Sequence, residues 1–494
     1  MSINQHSQVS VIGAGIGGLA IAIRLAIKGY KVTIFESNSY VGGKLSQIES
    51  DGFRFDAGPS LFTMPELVDE LFVLAGLNPK TYFNYQKLDE SCRYFYEDGT
   101  VLKAYSDIQK LAKESYQKTG IQPNQLIKHL KKSKYIFDAT AFLFLQKSLH
   151  KFKSYISFTV LKSFLKLPFL GIFKSMHKAN HEALNNPKME QLFNRYATYN
   201  GSNPFLAPAI LNIIPHLEFG KGAYFPTNGM YSIALSLYQL AKKLGVTFRL
   251  NSQVQEIVVQ RGQVEGLRLS NEFIKSDYVV SNIDVYFVYK KLLKSFSMPK
   301  KIVSQERSTS ALIFYWGISK TFSQLDLHNI FFSKDYKTEF DCLRSRQSIH
   351  FDPTVYINIT SKKNSSDAPK GCENWFVMIN VPPNNGQNWD LLIPQARAAI
   401  LKKLNRILEV NLEENILNEE ILDPIKIESK TASYQGSLYG TASNNKMAAF
   451  FRHSNFSNKV SKLYFCGGSV HPGGGIPLAL SSAKIVDGFF KSLN

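Results

Sequence analysis

At 494 residues the chain exceeds one ordinary domain, and a hydrophobic fraction of 44% excludes a disordered chain and supplies a sizeable core. Lys and Arg number 58 against 39 Asp and Glu, a formal +19 that calls for an anionic partner, either a membrane surface or a nucleic acid. The four cysteines, Cys92, Cys342, Cys372 and Cys466, lie far apart with no CxxC pair; they read as reduced, packed thiols, with no metal site among them.

The first informative stretch is Gln8 to Glu36, QVSVIGAGIGGLAIAIRLAIKGYKVTIFE. A β-branched run (Val9 to Ile12) breaks into glycines at 13, 15, 17 and 18, a helical apolar stretch stops at Gly29, and a second strand ends on Glu36. This is a complete βαβ dinucleotide-binding unit. Gly13 permits the tight turn, Ala14 and Gly15 let a pyrophosphate approach the backbone, and Gly17 and Gly18 open a helix packed closely on the sheet. Free N–H groups at that helix N-terminus favour the phosphates. Glu36, 21 residues beyond Gly15, is placed to accept the hydroxyls of an adenosine ribose and disfavours a 2′-phosphate, so NADP is not the dinucleotide expected. Because glycines and Arg24 interrupt the apolar run from Val9 to Ile27, it is no signal peptide, and a cytoplasmic chain is expected.

After the acid come Gly42, Gly43 and Lys44, a hairpin turning at Asp51-Gly52, then Asp56, Gly58 and Pro59. A helix is predicted over Pro65 to Leu77 and a hairpin over Tyr94 to Tyr105, turning on Asp98-Gly99. From Lys128 to Lys178 there are eleven lysines and one acid, Asp138, so this window carries +10. Phenylalanines and tyrosines interleave with the lysines, and the most apolar part, Tyr155 to Phe173, is broken by Lys162, Lys166 and Pro168. It falls short of a spanning helix and reads as a segment lying in a membrane interface, lysines toward anionic head groups and phenylalanines toward the acyl boundary. No nucleic-acid module accompanies the charge, so no nucleic-acid partner is expected. An apolar helix is predicted over 206–214, a Pro-His-Leu-Glu element follows, and Met230 to Lys243 is an amphipathic helix closed by Gly245. Short strands are predicted over Val246–Leu250, Val254–Val259 and Val264–Leu269, with another ending at Ser281. Further strands over Ala311–Gly317, Val355–Ile359 and Trp375–Val381 and a helix over Gln395–Val410 make up a mixed block without nucleotide motifs. The chain closes on a strand, Leu463–Cys466, then Gly467, Gly468, Ser469, His471-Pro472 and Gly473 to Gly475, and a helix opening at Ile476-Pro477.

The Gly-Gly-Lys after the acid, DAGPSLF, GSNPFLAPA, YFPTNGMYSIA and GGSVHPGGGIPLALSSAKI together resemble the bacterial carotenoid desaturases of the phytoene desaturase type, across essentially the whole length. The closing GGSVHPGGGIPL is most similar to the members that act on 1-hydroxycarotenoids at the 3,4 position. The resemblance implies an α/β chain with a Rossmann-like FAD-binding domain (1–80, 222–290 and 426–494) and an interleaved α+β substrate domain (81–221 and 291–425). The substrate domain includes the basic membrane-facing segment 128–178. It implies FAD held by Gly13, Ala14, Gly15, Gly17, Gly18, Glu36, Gly43, Lys44, Gly58, Pro59, the adenine-reading Val254 (with Asn251 and Ile257), Gly468, Ser469, Gly475, Ile476 and Pro477. Lysine at 44 replaces the family's usual arginine, keeping the charge without the planar fork. No metal is implied. The partners expected are a long apolar carotenoid and the inner face of the cell membrane, with the electron acceptor left open. The implied reaction passes a hydride to the flavin and a proton to a neighbouring group, for which Arg195, His216 and Glu218 are candidates. Phytoene desaturation, amine oxidation on the same fold and non-catalytic carotenoid binding by a flavoprotein stand as alternatives.

Overall fold

A computed structural model describes residues 7–151, 171, 173–445, 448 and 452–493. Five parallel strands form the first sheet, in the order Leu463–Phe465, Tyr278–Ser281, Gln8–Ile12, Lys31–Phe35, Thr247–Arg249. The helix Ile16–Ile27 crosses this sheet and is buried on nearly every side, because the helices Tyr231–Lys243 and Ile476–Asp487 flank it. Its Leu19 and Ile23 share a core with Leu237, Ala241, Leu480 and Ala483. Uniform apolarity in that helix is therefore what its surroundings require. Its one buried cation, Arg24, is neutralised by Glu70 at 2.9 Å, which also takes Lys484 at 3.0 Å and so ties the first helix to the last.

The second sheet has seven strands, in the order Ile416–Leu422, Ser310–Ile318, Glu373–Val381, Val355–Ile359, His328–Phe331, Glu90–Phe95, Val101–Tyr105. All pairs are antiparallel except His328–Phe331 with Glu90–Phe95. Side chains alternate across it. Leu312, Phe314, Trp316, Ile357 and Val377 pack under the helix Trp389–Leu408, while Ile313, Tyr315, Ile330, Tyr356 and Phe376 face the other way. The period of two thus gives the sheet two buried faces with different duties, one structural and one turned toward the first sheet and the helices beyond it.

Several predicted elements differ in kind. The helix expected over 206–214 is a 3-10 turn, Ala209–Ile213, since Pro208 and Pro215 bracket a run too short for an α-helix. The Pro-His-Leu-Glu element is a π-turn, His216–Lys221. The helix expected from Gln395 begins at Trp389, where the Asn388 side chain caps it by accepting from Leu391 N at 3.3 Å; Pro394 lies inside rather than before it. The strand expected from Val254 starts at Glu256. The basic window opens as a helix, Pro123–Gln146, that buries Leu126, Leu130 and Ile136; most of Tyr155 to Phe173 lies outside the described residues. Cys92, Cys342 and Cys466 are buried, Cys372 partly so, and all four are free thiols.

The first helix meets the strand end before it closely at Gly18, where an added Cβ would lie 2.0 Å from the Gly13 carbonyl oxygen. Backbone cannot give way as a side chain can. Gly18→Ala is expected to cost about 1–3 kcal/mol of stability, read as a lower denaturant midpoint; an unchanged midpoint would show that the helix is not held at this distance.

Candidate functional site

The glycine turn is built as its spacing predicts. Gly13 has φ 94° and donates its N–H to Phe35 O at 2.8 Å, and Gly15 is the N-cap of the first helix. Gly42 N donates to Ala14 O at 2.8 Å, laying Gly42 and Gly43 against the turn. Buried Glu36 braces the same turn: Oε2 accepts from Ala14 N at 2.7 Å, and Oε1 accepts from Asn38 N and Nδ2, each at 2.9 Å. Its carbonyl accepts from Ser252 N at 2.8 Å, bringing Val254 to the wall beside it. Asn282, which the sequence reading did not single out, lies among the glycines. A Cβ on Gly15, Gly17 or Gly467 would come within 2.7, 2.6 and 2.5 Å of its side-chain amide.

The closing loop meets this turn from the other side. Ser469 Oγ accepts from Val285 N at 3.0 Å, and Gly474 passes Tyr439 so closely that a Cβ would lie 2.6 Å from Tyr439 Cα. Gly475 caps the helix Ile476–Asp487 with φ 104°, Pro477 sits in its first turn, and a Cβ on Gly475 would meet nothing within 4 Å. The turn therefore presents bare backbone and a helix N-terminus to open space, which suits a flat, partly anionic group. Gly58 is equally constrained, since an added Cβ would lie 1.9 Å from Lys44 O. Lys44 itself is half-buried and donates Nζ to Ser437 O at 3.0 Å and Leu438 O at 2.7 Å, near the Asp284–Arg307 ion pair. Burial pushes the Lys44 ammonium down to about 8, with Asp284 opposing the shift and Arg307 adding to it.

These groups line one end of a single continuous cavity of about 1990 Å³, well above the few hundred to one thousand Å³ of an ordinary ligand site. A dinucleotide leaves a large part of it free. An apolar arm runs past Phe137, Leu143, Phe144, Leu211 and Ile214, while the cavity face of the second sheet contributes Ile330, Tyr356, Phe376 and Met378. Among the three candidates for proton handling, only Arg195 lines the cavity. Its Nη1 donates to the Tyr94 and Tyr199 hydroxyls, each at 3.3 Å. Glu218 stands behind that wall, accepting from Tyr199 at 2.9 Å and Ser91 at 2.8 Å, so it reaches the cavity only through those two hydroxyl residues, which line it. His216 lies outside the lining, its ring 5.0 Å from Phe137. His471 is fully buried, with Nε2 3.0 Å from Lys147 O, and burial pushes its pKa down to about 3. A neutral ring so placed braces the closing loop.

Lys44 gives a pH signature. The unfolded chain keeps this proton to near 10.5 and the folded chain releases it near 8, so between those values unfolding takes up a proton and stability rises with pH. Below that window the cost of desolvating the cation is fully present. Denaturation of the cofactor-free protein across the window is expected to show this rise, and Lys44→Met to lack it; an equal rise in both would place the titration elsewhere.

A family model described as flavin containing amine oxidoreductase matches residues 16–486. The chain is 51% identical over 484 residues to a 1-hydroxycarotenoid 3,4-desaturase of Flavobacterium sp. (strain P99-3), covering 98% of this chain and 99% of the relative. It is 34% identical to a 4,4'-diapolycopene oxygenase of Methylomonas sp, covering 98% of each. Wild-type putrescine oxidase bound to putrescine shares the fold, with a TM-score of 0.63 at 12% identity over 98% of each chain. With the match extending from the glycine turn to the closing helix that together wall one end of the cavity, the chain belongs to the flavin containing amine oxidoreductases and is a flavin-dependent oxidoreductase.

Proposed function

We propose that the chain is an FAD-dependent carotenoid desaturase that introduces the C-3,4 double bond into a 1-hydroxycarotenoid. One observation carries this: the cavity lined by the glycine turns is also walled by an apolar group, Phe137, Leu143, Phe144, Leu211 and Ile214, and is large enough for a second long ligand. That wall suits a long hydrocarbon and offers no counter-charge to an ammonium. The full-length relative with 51% identity acts on such a substrate by its name.

Glu36 and Val254 would hold the adenosine half of FAD, Gly13 to Gly18 with Gly43 and Lys44 its pyrophosphate. Gly468 and Ser469, Gly475 to Pro477, and Gly58 with Pro59 would take the flavin half. When bound, the flavin supplies a two-electron acceptor for hydride chemistry. The residues of the chain supply the rest: an apolar arm that excludes water and holds the polyene in one register. Arg195 is excluded as a base by its permanent charge, and Glu218 is one hydroxyl removed from the cavity. The protein's share is thus orientation more than acid–base chemistry.

The same reading places the basic segment on the inner face of the cell membrane. Lys128, Lys131, Lys132 and Lys134 are exposed on the helix Pro123–Gln146, as are Tyr135 and Phe142. Phe137 and Leu143 of that helix line the apolar arm, so a polyene leaving a bilayer would enter beside it. Among the described residues no helix is long and apolar enough to cross a membrane.

Flavin-loaded protein mixed with liposomes carrying a 1-hydroxycarotenoid, phytoene or an amine tests the substrate class. The expected product is the hydroxycarotenoid lighter by two hydrogens and absorbing further to the red. Conversion of phytoene alone, peroxide from the amine alone, or bound pigment left unchanged would each overturn it. Replacing Lys128, Lys131, Lys132 and Lys134 by Gln is expected to weaken binding to anionic vesicles by about 1 kcal/mol per lysine; undiminished binding would remove this helix from the membrane contact.

A further inference from the structure

At the sheet end of the cavity stands a group that neither the cofactor residues nor the apolar arm employs. His328 lies on the cavity face of the second sheet, only 4% exposed, and lines the cavity. One edge of its ring is occupied: Asn358 Nδ2 donates to Nδ1 at 3.2 Å, and the Tyr356 hydroxyl lies 2.7 Å from the same nitrogen. The Asn358 amide is itself oriented by donating to Leu327 O at 3.0 Å. An amide NH₂ can only donate, so Nδ1 is an acceptor.

Burial pushes the His328 pKa down to about 3, with Arg195 adding to the shift. The ring is therefore neutral near pH 7, and its single proton is on Nε2. That nitrogen is buried and has no hydrogen-bond partner among the described residues. Buried donors are almost always paired in folded proteins, so an oxygen acceptor belongs beside it. On the same face of the sheet Ile330, Phe376 and Met378 are apolar and supply none, and the nearby Arg195 guanidinium has only donors to offer.

The position is as informative as the chemistry. Tyr356 also bonds Ser60 Oγ at 2.7 Å, and Ser60 follows Gly58 and Pro59, the segment assigned to the flavin half of the cofactor. His328 is thus coupled through two hydrogen bonds to the loop beside the reacting centre. In a 1-hydroxycarotenoid the hydroxyl-bearing carbon is separated from C-3 by a single carbon. A substrate seated with C-3 and C-4 at the flavin must put its hydroxyl next to that loop.

We propose that the His328 Nε2–H, fixed by Tyr356 and Asn358, donates to the terminal hydroxyl of the substrate, selecting hydroxylated carotenoids and setting which end of the polyene lies at the flavin. This rests on the desaturase reading and gives it a specificity residue. His328 takes no proton in the reaction; it reads the end group.

The test is a ratio: kcat/KM for a 1-hydroxycarotenoid over kcat/KM for the same carotenoid without the hydroxyl. A site that pairs a substrate hydroxyl rejects the analogue lacking it strongly, so the wild-type ratio is expected to be at least about a hundred. His328→Phe is expected to lower the ratio by about tenfold or more, and His328→Gln, which restores an N–H donor, to recover part of it. Tyr356→Phe keeps the ring and removes one hold on Nδ1; it is expected to lower the ratio several-fold and carries the test if the phenylalanine variant at 328 does not fold. A wild-type ratio near one, or a ratio unchanged in flavin-retaining variants, overturns the assignment while leaving the desaturase reading intact. Turnover of neither carotenoid by the wild type defeats both.

Discussion

The molecule depends on a place where backbone meets backbone with no room for a side chain other than one asparagine. Asn282 leaves the strand Tyr278–Ser281, donates its N–H to Ile12 O at 2.8 Å, and sends its amide between Gly15, Gly17 and Gly467. Those glycines come from opposite ends of the chain. Their convergence sets the first helix N-terminus and the closing loop on the same side of the parallel sheet, and any Cβ there would force the segments apart. Placing the two cofactor-facing turns is thus a packing constraint before it is a chemical one.

From that fixed end the cavity divides by polarity. The backbone-rich end, with Glu36 braced on Ala14 and Lys44 held by two carbonyls, suits a charged dinucleotide. The arm beyond it is aliphatic and aromatic. The second sheet closes the far side with one of its two faces, and period-two alternation puts His328, Ile330, Tyr356 and Asn358 on that face while Phe331, Val355 and Ile357 anchor the other. A one-residue slip in these strands would bury the polar group in the wrong core. Register in the substrate sheet is therefore linked to what the cavity accepts.

The parts legible in the sequence were those whose signal is local. The βαβ turn, the acid 21 residues past Gly15, and the closing strand, glycine and helix run each need only their own neighbours, and the structure builds those elements there. Asn282 was missed because nothing near it in sequence distinguishes it; its importance comes from glycines elsewhere in the chain. His328 was missed because its strand, His328–Phe331, is four residues with two polar side chains and becomes a strand only by pairing with Val355–Ile359 and Glu90–Phe95. The strand Ile416–Leu422 likewise carries Asn418, Glu419 and Glu420 and hides its pairing with Ser310–Ile318. His216 and Glu218 are candidates by residue type near the cofactor segments, and type alone does not tell which side of a wall a side chain occupies. The apolarity of 206–214 suggests a helix, while Pro208 and Pro215 decide its conformation.

The central claim is that flavin and a long apolar substrate share one cavity, so that oxidation of one is reduction of the other. Anaerobic rapid mixing of flavin-loaded protein with a 1-hydroxycarotenoid in liposomes tests it most directly, following the flavin absorbance and the polyene spectrum together. The account predicts one flavin bleached for each double bond formed, both changes sharing a single rate. A new double bond appearing while the flavin stays oxidised, or bleaching without a red-shifted polyene, would contradict it.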